Sequence, residues 1–477
     1  MAVLSSDLIR QGAAGASTGY TINNSCRFNT GDNPEISKTF SGAGTEEKNT
    51  VSVWIKIGDK TGNGRRAIFS AGSGGSDYGG AELGASGDST MEFVNYASSS
   101  YAWRLRTRQQ FRDPSAWYHF VFVFDSAQAA PSERAKVYVN GERIIDFQTA
   151  SYPSLNYGSN YWMGTTKHEI GTSIFTTQNF DGYMANFYCL DNYAYGPEYF
   201  GEFNENGIWI PKEYDGSYGT NGFFFEFQSS GSLGTDTSGQ GNNFSTSGLQ
   251  ANDQRTDTPT NNMITFNPLN NQRSGGNPQN GNLQYDGPGT RTLISLTANI
   301  PPTGKWAVAF SAAAVSTNAG WQFGVTKATN TNFGDAAGSN EDVGGQDNDG
   351  INMSPSSSDL TIYDYVNSTS IDPSLPITTS DEFWIAVDMA TGKVFLGIYD
   401  ESATTMKFVA ADTGLDGNPA TGANPSVTIS AMIGRDDYTF AAGSKDTSND
   451  VTLLRSTEVS GTTPTGYTYF ENVKDLI

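Results

Sequence analysis

Apolar side chains alternate with polar ones over short runs of this chain, and glycine- and serine-rich turns separate the runs. The clearest run is Trp117-Tyr118-His119-Phe120-Val121-Phe122-Val123-Phe124-Asp125, where aromatics and valines occupy both faces, as in a strand packed on two sides. After a short loop, Lys136-Val137-Tyr138-Val139 runs into Asn140-Gly141. That dipeptide suits a tight type I′ turn because both residues tolerate positive φ. The same spacing predicts strands over 21–28, 50–57, 65–70, 90–94, 101–106, 117–124, 135–139 and 182–190. No helical period persists, so residues 21–192 are expected to form an antiparallel β-sandwich.

Beyond 192 the pattern changes. Tyr195-Gly196-Pro197-Glu198-Tyr199-Phe200-Gly201 suggests one short helical turn, and Trp209-Ile210-Pro211-Lys212 follows. Asn221-Gly222-Phe223-Phe224-Phe225-Glu226-Phe227 is an apolar run that has to be buried, each Phe contributing about 1.5–3 kcal/mol. Long polar stretches then lead through Thr256-Asp257-Thr258-Pro259-Thr260-Asn261-Asn262. Residues 193–277 therefore read as an extended linker anchored by its aromatics. A second sandwich is expected over 278–477. Its strands include Lys305 to Phe310 and Trp321 to Val325, and a hairpin runs from Phe383 to Asp388 through Thr391-Gly392 into Lys393 to Ile398. Residues 1–20 are either a frayed end or a docking arm carrying Leu8 and Ile9. No repeat of solenoid length and no heptad or collagen tract is present.

Composition narrows the function classes. Fifty acidic residues against 28 basic ones give a net charge of −22, which repels phosphate backbones and excludes nucleic acid as a partner. Two cysteines, Cys26 and Cys189, make no disulfide framework; terminal strands of a sandwich often pair, so they are either neighbours or two buried free thiols. The N-terminus lacks the pattern of a secretory signal, and no apolar run is long enough to span a membrane, so synthesis in a cytosol without membrane insertion is expected.

The Trp117–Asp125 strand and the following Tyr138-Val139-Asn140-Gly141 together resemble the core hairpin of laminin-G and concanavalin A-like sandwiches. The Lys305-Trp306 strand, the Gly324-Val325 strand and the Asp388 to Phe395 hairpin resemble a SPRY-type sandwich, with Ala307 and Ala309 where that family usually has aromatics. In order along the chain come Ser6-Asp7-Leu8-Ile9-Arg10-Gln11-Gly12-Ala13-Ala14-Gly15, Phe111 to His119, and Phe180-Asp181-Gly182-Tyr183-Met184-Ala185. Gly207 to Lys212, Tyr218 to Phe223 and Asp253 to Asn262 follow. Together these phrases resemble a family of tailed-bacteriophage virion proteins that joins a laminin-G-like to a SPRY-like domain. The resemblance implies a surface protein of the particle: a tail or head fibre, or a capsid decoration. It implies contact with other virion proteins and sister subunits, attachment to host-surface glycans, and release by lysis. Pure decoration without a receptor, and a cellular carbohydrate-binding module, are the other readings.

Chemistry-bearing residues are few. A laminarinase-type hydrolase needs Glu-x-Asp-x-x-Glu on a strand, whereas Glu213-Tyr214-Asp215 is followed by Gly216-Ser217-Tyr218; no catalytic residue is assigned. His119 falls in a core strand and reads as structural, and no nucleophile motif accompanies His168. Calcium is the one cofactor left open: Asp347-Asn348-Asp349-Gly350 opens like a carboxylate loop without its closing Glu, and Asp181 stands where a rim calcium would sit. For stacking on sugar rings the candidates are Tyr96, Tyr101, Tyr157, Tyr161 and Trp162, with core packing or intersubunit contact as the plainer role.

Overall fold

A computed structural model describes residues 19–58, 64–84, 88–159, 161–174, 178–270, 276–287, 292–315, 320–328, 342, 343, 345, 349–356, 359–444 and 451–476. Leu8, Ile9 and Asp347 lie outside them. The fold is all-β, and the chain divides into two compact units at Asn262/Met263. Among the described residues no helix is long and apolar enough to cross a membrane.

Among the described residues, the first unit is a sandwich of two eight-stranded sheets. One sheet is centred on Lys48–Ile57, flanked by Trp117–Asp125 and Gly182–Asp191. Ala135–Val139 and Glu142–Arg143 extend it outward, turning at Asn140 and Gly141, whose φ values of 46° and 82° are those of the expected tight turn. The second sheet runs, in order, Phe147–Ser151, Ser100–Gln110, Thr90–Ala97, Asp77–Leu83, Arg66–Gly74, Lys167–Ile170, Glu35–Thr39 and Ser245–Ser247. Between the sheets lies an aromatic core that includes Phe69, Phe93, Trp103, Phe120, Phe122, Phe187 and Phe225. Alternation makes this possible: Phe120, Phe122 and Phe124 face the core, while Val121 and Val123 face a second cluster with Tyr188 and Phe224.

Residues 193–262 are part of this unit. Phe223–Phe225 adds to the edge of Gly182–Asp191, with Phe187 opposite Phe225 and Cys189 opposite Phe223. Phe223, Phe225 and Phe227 enter the main core, and Phe224 stacks on Tyr188 at 4.0 Å. The short helical turn is a 3₁₀ turn at Pro197–Tyr199. Cys26 and Cys189 sit on paired strands, but the register sets Cys26 opposite Met184, five positions along Gly182–Asp191 from Cys189. Both are buried free thiols, and burial holds both well above the ordinary thiol pKa.

Among its described residues the second unit also has two main sheets, of nine and six strands. Its Glu382–Asp388 and Lys393–Asp400 strands form the expected hairpin, closed by Gly392 N–H donating to the Asp388 carbonyl at 2.8 Å with Gly392 at φ 69°. Ala307 and Ala309 are small because Trp384 and Tyr469 fill the space around them.

Candidate functional site

Strand alternation sends Met91, Phe93, Trp103 and Leu105 into the core and turns Glu92, Arg104 and Arg106 to the opposite face of the second sheet. There Glu82 lies directly across from Glu92, and Tyr78 from Tyr96. Arg104 holds Glu92 with both guanidinium arms, its Nε at 3.0 Å from Oε2, and Arg106 Nε reaches Glu92 Oε1 at 3.3 Å. Arg65 pairs with Glu82 and also donates to Tyr78 Oη at 2.9 Å and to Tyr101 Oη at 3.0 Å. Burial raises Glu82 to about 7, with Arg65 opposing the shift.

Tyr101 stands at the rim of this face. Arg104 packs its guanidinium 4.4 Å from the ring centroid, the Tyr96 and Tyr101 rings pair in a T-shape at 5.0 Å, and Tyr78 continues the row 5.5 Å beyond Tyr96. With 36 % of its surface exposed, Tyr101 is the most open aromatic of the row. Below it the hairpin turns through Ser98 and Ser99 at φ 51° and 59°, a conformation that Asn and Gly adopt more readily. Asp77 holds that turn by accepting from Ser98 N at 2.8 Å.

The structure brings most of the sequence-predicted tyrosines to this one end of the sandwich. Tyr161 donates to Asp77 Oδ1 at 2.8 Å, next to Tyr78. Tyr157 donates to Asn95 Oδ1 at 2.8 Å, next to Tyr96, while Asn95 donates to the Ser159 carbonyl at 2.7 Å. Trp162 is a correction. It is 4 % exposed and packs on Phe69 at 4.5 Å and His168 at 5.0 Å, so it closes the core and is not presented for stacking. Sequence reasoning missed Arg65, Tyr78, Glu82, Glu92 and Arg104. The alternation Arg104-Leu105-Arg106-Thr107-Arg108 in a predicted strand was the available signal for the arginines.

The remaining candidates have structural partners. His119 Nδ1 accepts from Trp209 Nε1 at 2.9 Å, which puts its proton on Nε2, 2.8 Å from Ser52 Oγ. His168 Nε2 accepts from Met163 N at 3.0 Å, and its Nδ1 lies 2.9 Å from the Thr166 carbonyl. Burial lowers His119 to about 3 and His168 to about 4. Asp181 Oδ2 accepts from Thr30 Oγ1 at 3.0 Å, and Asp349 Oδ2 is 3.0 Å from Lys327 Nζ. Among the described residues no group of three or more His, Cys, Asp or Glu is placed to hold a metal ion. Glu213 and Asp215 are exposed and outside any strand.

Residues 30–193 match the Laminin_G_3 family model, described as the concanavalin A-like lectin/glucanases superfamily. The first unit thus has a laminin-G-like, concanavalin A-like fold. No curated protein matches the chain. Three solved structures show the range of likeness. A native heptameric SAP-like pentraxin from Limulus polyphemus is 14% identical, covering 37% of this chain and 80% of that one at a TM-score of 0.27. Domains LG4-5 of the mouse laminin alpha1 chain are 8% identical, covering 94% and 88% at 0.28. Full-length tailspike protein 2 of Escherichia coli O157:H7 bacteriophage CAB120 is 14% identical, covering 38% and 28% at 0.26.

Proposed function

We propose that this chain is a non-enzymatic surface protein of a tailed-bacteriophage particle and that it attaches to host-surface glycans through the tyrosine–arginine face of its first sandwich. The observation that carries the binding reading is Tyr101: an exposed ring fixed by Arg65 at its hydroxyl, by the Arg104 guanidinium over the ring and by Tyr96 packed against it in a T-shape. A pre-fixed ring loses little freedom on meeting a sugar, and the Arg, Ser and Asp groups around it supply hydrogen bonds for hydroxyls. The lectin-type family match over the same sandwich supports this reading. The face carries two facing carboxylates, but both are engaged by guanidinium groups, an arrangement suited to holding a ligand more than to acid and nucleophile roles across a scissile bond.

The particle reading rests on the ordered phrases between Ser6 and Asn262. In it the second unit is SPRY-like, the partners are other virion proteins and sister subunits, and the protein is made in the host cytoplasm and freed by lysis. Cryo-electron microscopy of the purified particle tests this half: density that fits both units on capsid or tail is expected, and a particle lacking the chain rejects it. Excess purified chain should also slow adsorption of the particle to its host. Unchanged adsorption, with the chain found on the capsid, replaces attachment by decoration.

A further inference from the structure

The segment from Asp253 to Asn262 is fastened to the first sandwich by groups withdrawn from water. Arg27 grips Asp253 through Nε at 3.0 Å and a second nitrogen at 2.8 Å, and Ser25 Oγ donates to the Asp257 carbonyl at 2.6 Å. One cluster there goes further. The Lys56 side chain is 1 % exposed, and its cross-strand neighbours are Trp117 and Tyr183. Lys56 Nζ lies 2.9 Å from Asp257 Oδ2 and 2.9 Å from Asn262 Oδ1. Trp117 Nε1 donates to Asp257 Oδ1 at 3.1 Å, and Asn262 Nδ2 donates to the Ser115 carbonyl at 2.8 Å. A primary amine, a carboxamide and a carboxylate therefore converge in an aromatic, water-poor pocket, the carboxylate and the carboxamide each held by a further partner.

We propose that this cluster is a covalent modification site, at which Lys56 and Asn262 are joined by an intramolecular amide bond with Asp257 as the acid–base group. The first step passes a proton from Lys56 Nζ to Asp257 Oδ2, 2.9 Å away, leaving an amine beside a carboxylic acid. Lys56 Nζ adds to Asn262 Cγ, and the acid proton of Asp257 goes to the former amide oxygen as it gains charge. Asp257 then takes a proton from Nζ and delivers it to Nδ2, the oxygen returns its proton, the Cγ–Nδ2 bond breaks, and ammonia leaves. Amine plus primary amide gives secondary amide plus ammonia, so nothing is oxidised or reduced. The Ser115 carbonyl orients the carboxamide with its oxygen towards the amine, and the Trp117 indole fixes the carboxylate. The bond closes a loop between positions 206 residues apart, giving a chain with free thiols the constraint that a disulfide gives others.

Intact-mass spectrometry of the purified, denatured full-length chain tests it. The expected mass is about 17 Da below that of the sequence, the ammonia lost. Tandem spectra of a digest should show one peptide pair joined through Lys56 and Asn262. Asp257→Ala should return the full mass in whatever soluble fraction it yields, but the wild-type measurement stands without it. A wild-type chain at full sequence mass after prolonged incubation overturns the proposal. So does a loss mapped to an uncrosslinked residue, or a crosslink between Lys56 and Asp257 with loss of water.

Discussion

Tyr101 earns its place in the site through what immobilises it. Arg65 holds its hydroxyl, Arg104 lies over its ring and Tyr96 packs at a near right angle to it, with 36 % of the residue left exposed. Tyr101→Ala should weaken glycan binding at least about tenfold, roughly 1.4 kcal/mol, without moving the unfolding midpoint. Tyr161→Phe removes only a buttress on Asp77 and should cost less; calorimetric titration of both variants reads the difference. The two histidines carry a separate prediction. Both are kept neutral by burial below their ordinary 6.5, so unfolding takes up protons, and their contribution to stability is lost as pH falls from 6.5 through about 4. Each adds a slope of about 1.4 kcal/mol per pH unit. Glu82, raised from 4.5 to about 7, opposes this, because it favours the folded state below 4.5 and loses that contribution as pH rises to 7. His119→Asn should therefore flatten the acid limb relative to wild type by about 1.4 kcal/mol per pH unit in denaturant titrations; an unchanged limb contradicts the neutral, buried assignment.

At the scale of elements, alternation made the sheet carrying Trp117–Asp125 legible, since aromatics and valines there report two packed faces directly. The strand Asp77–Leu83 was illegible, and its composition explains why. Gly79, Gly80 and Ala81 carry weak strand preference, yet a Cβ at Gly80 would collide with the Phe69 carbonyl and one at Gly79 would come within 2.9 Å of Asn95 Nδ2. Close packing selected residues that conceal the strand, and with it Tyr78 and Glu82. Gly80→Ala should accordingly destabilise the first unit by roughly 1–3 kcal/mol, read as a lower denaturation midpoint. Trp162 was misjudged because a Tyr-, Asn- and Gly-rich loop looks exposed in sequence, whereas this one folds its indole back against Phe69. The Phe223–Phe225 run was readable as buried but not as an added edge strand, which only the Gly182–Asp191 register reveals. Phe225→Ala should cost about 3–5 kcal/mol, measurable by chemical denaturation of the full chain.

Across the whole molecule the 50 acidic side chains outnumber the 28 basic ones, yet Arg65, Arg104 and Arg106 gather around one sheet face, each paired with a carboxylate. Paired arginines hold tyrosines in place and present a locally balanced surface inside an acidic protein. That balance suits polyhydroxylated ligands better than polyanions, whose charge the rest of the surface repels. Asp181 and Asp349 already contact Thr30 and Lys327, so chelation of divalent cations should leave glycan binding unchanged within twofold, as titrations with and without chelator would show. Glycan attachment is tested by binding of the purified full-length chain to a panel of host-surface polysaccharides, run in parallel with Tyr101→Ala. Saturable binding to at least one glycan class, lost in the variant, is the expected result. Equal binding by the two proteins, or none by the wild type across the panel, contradicts it.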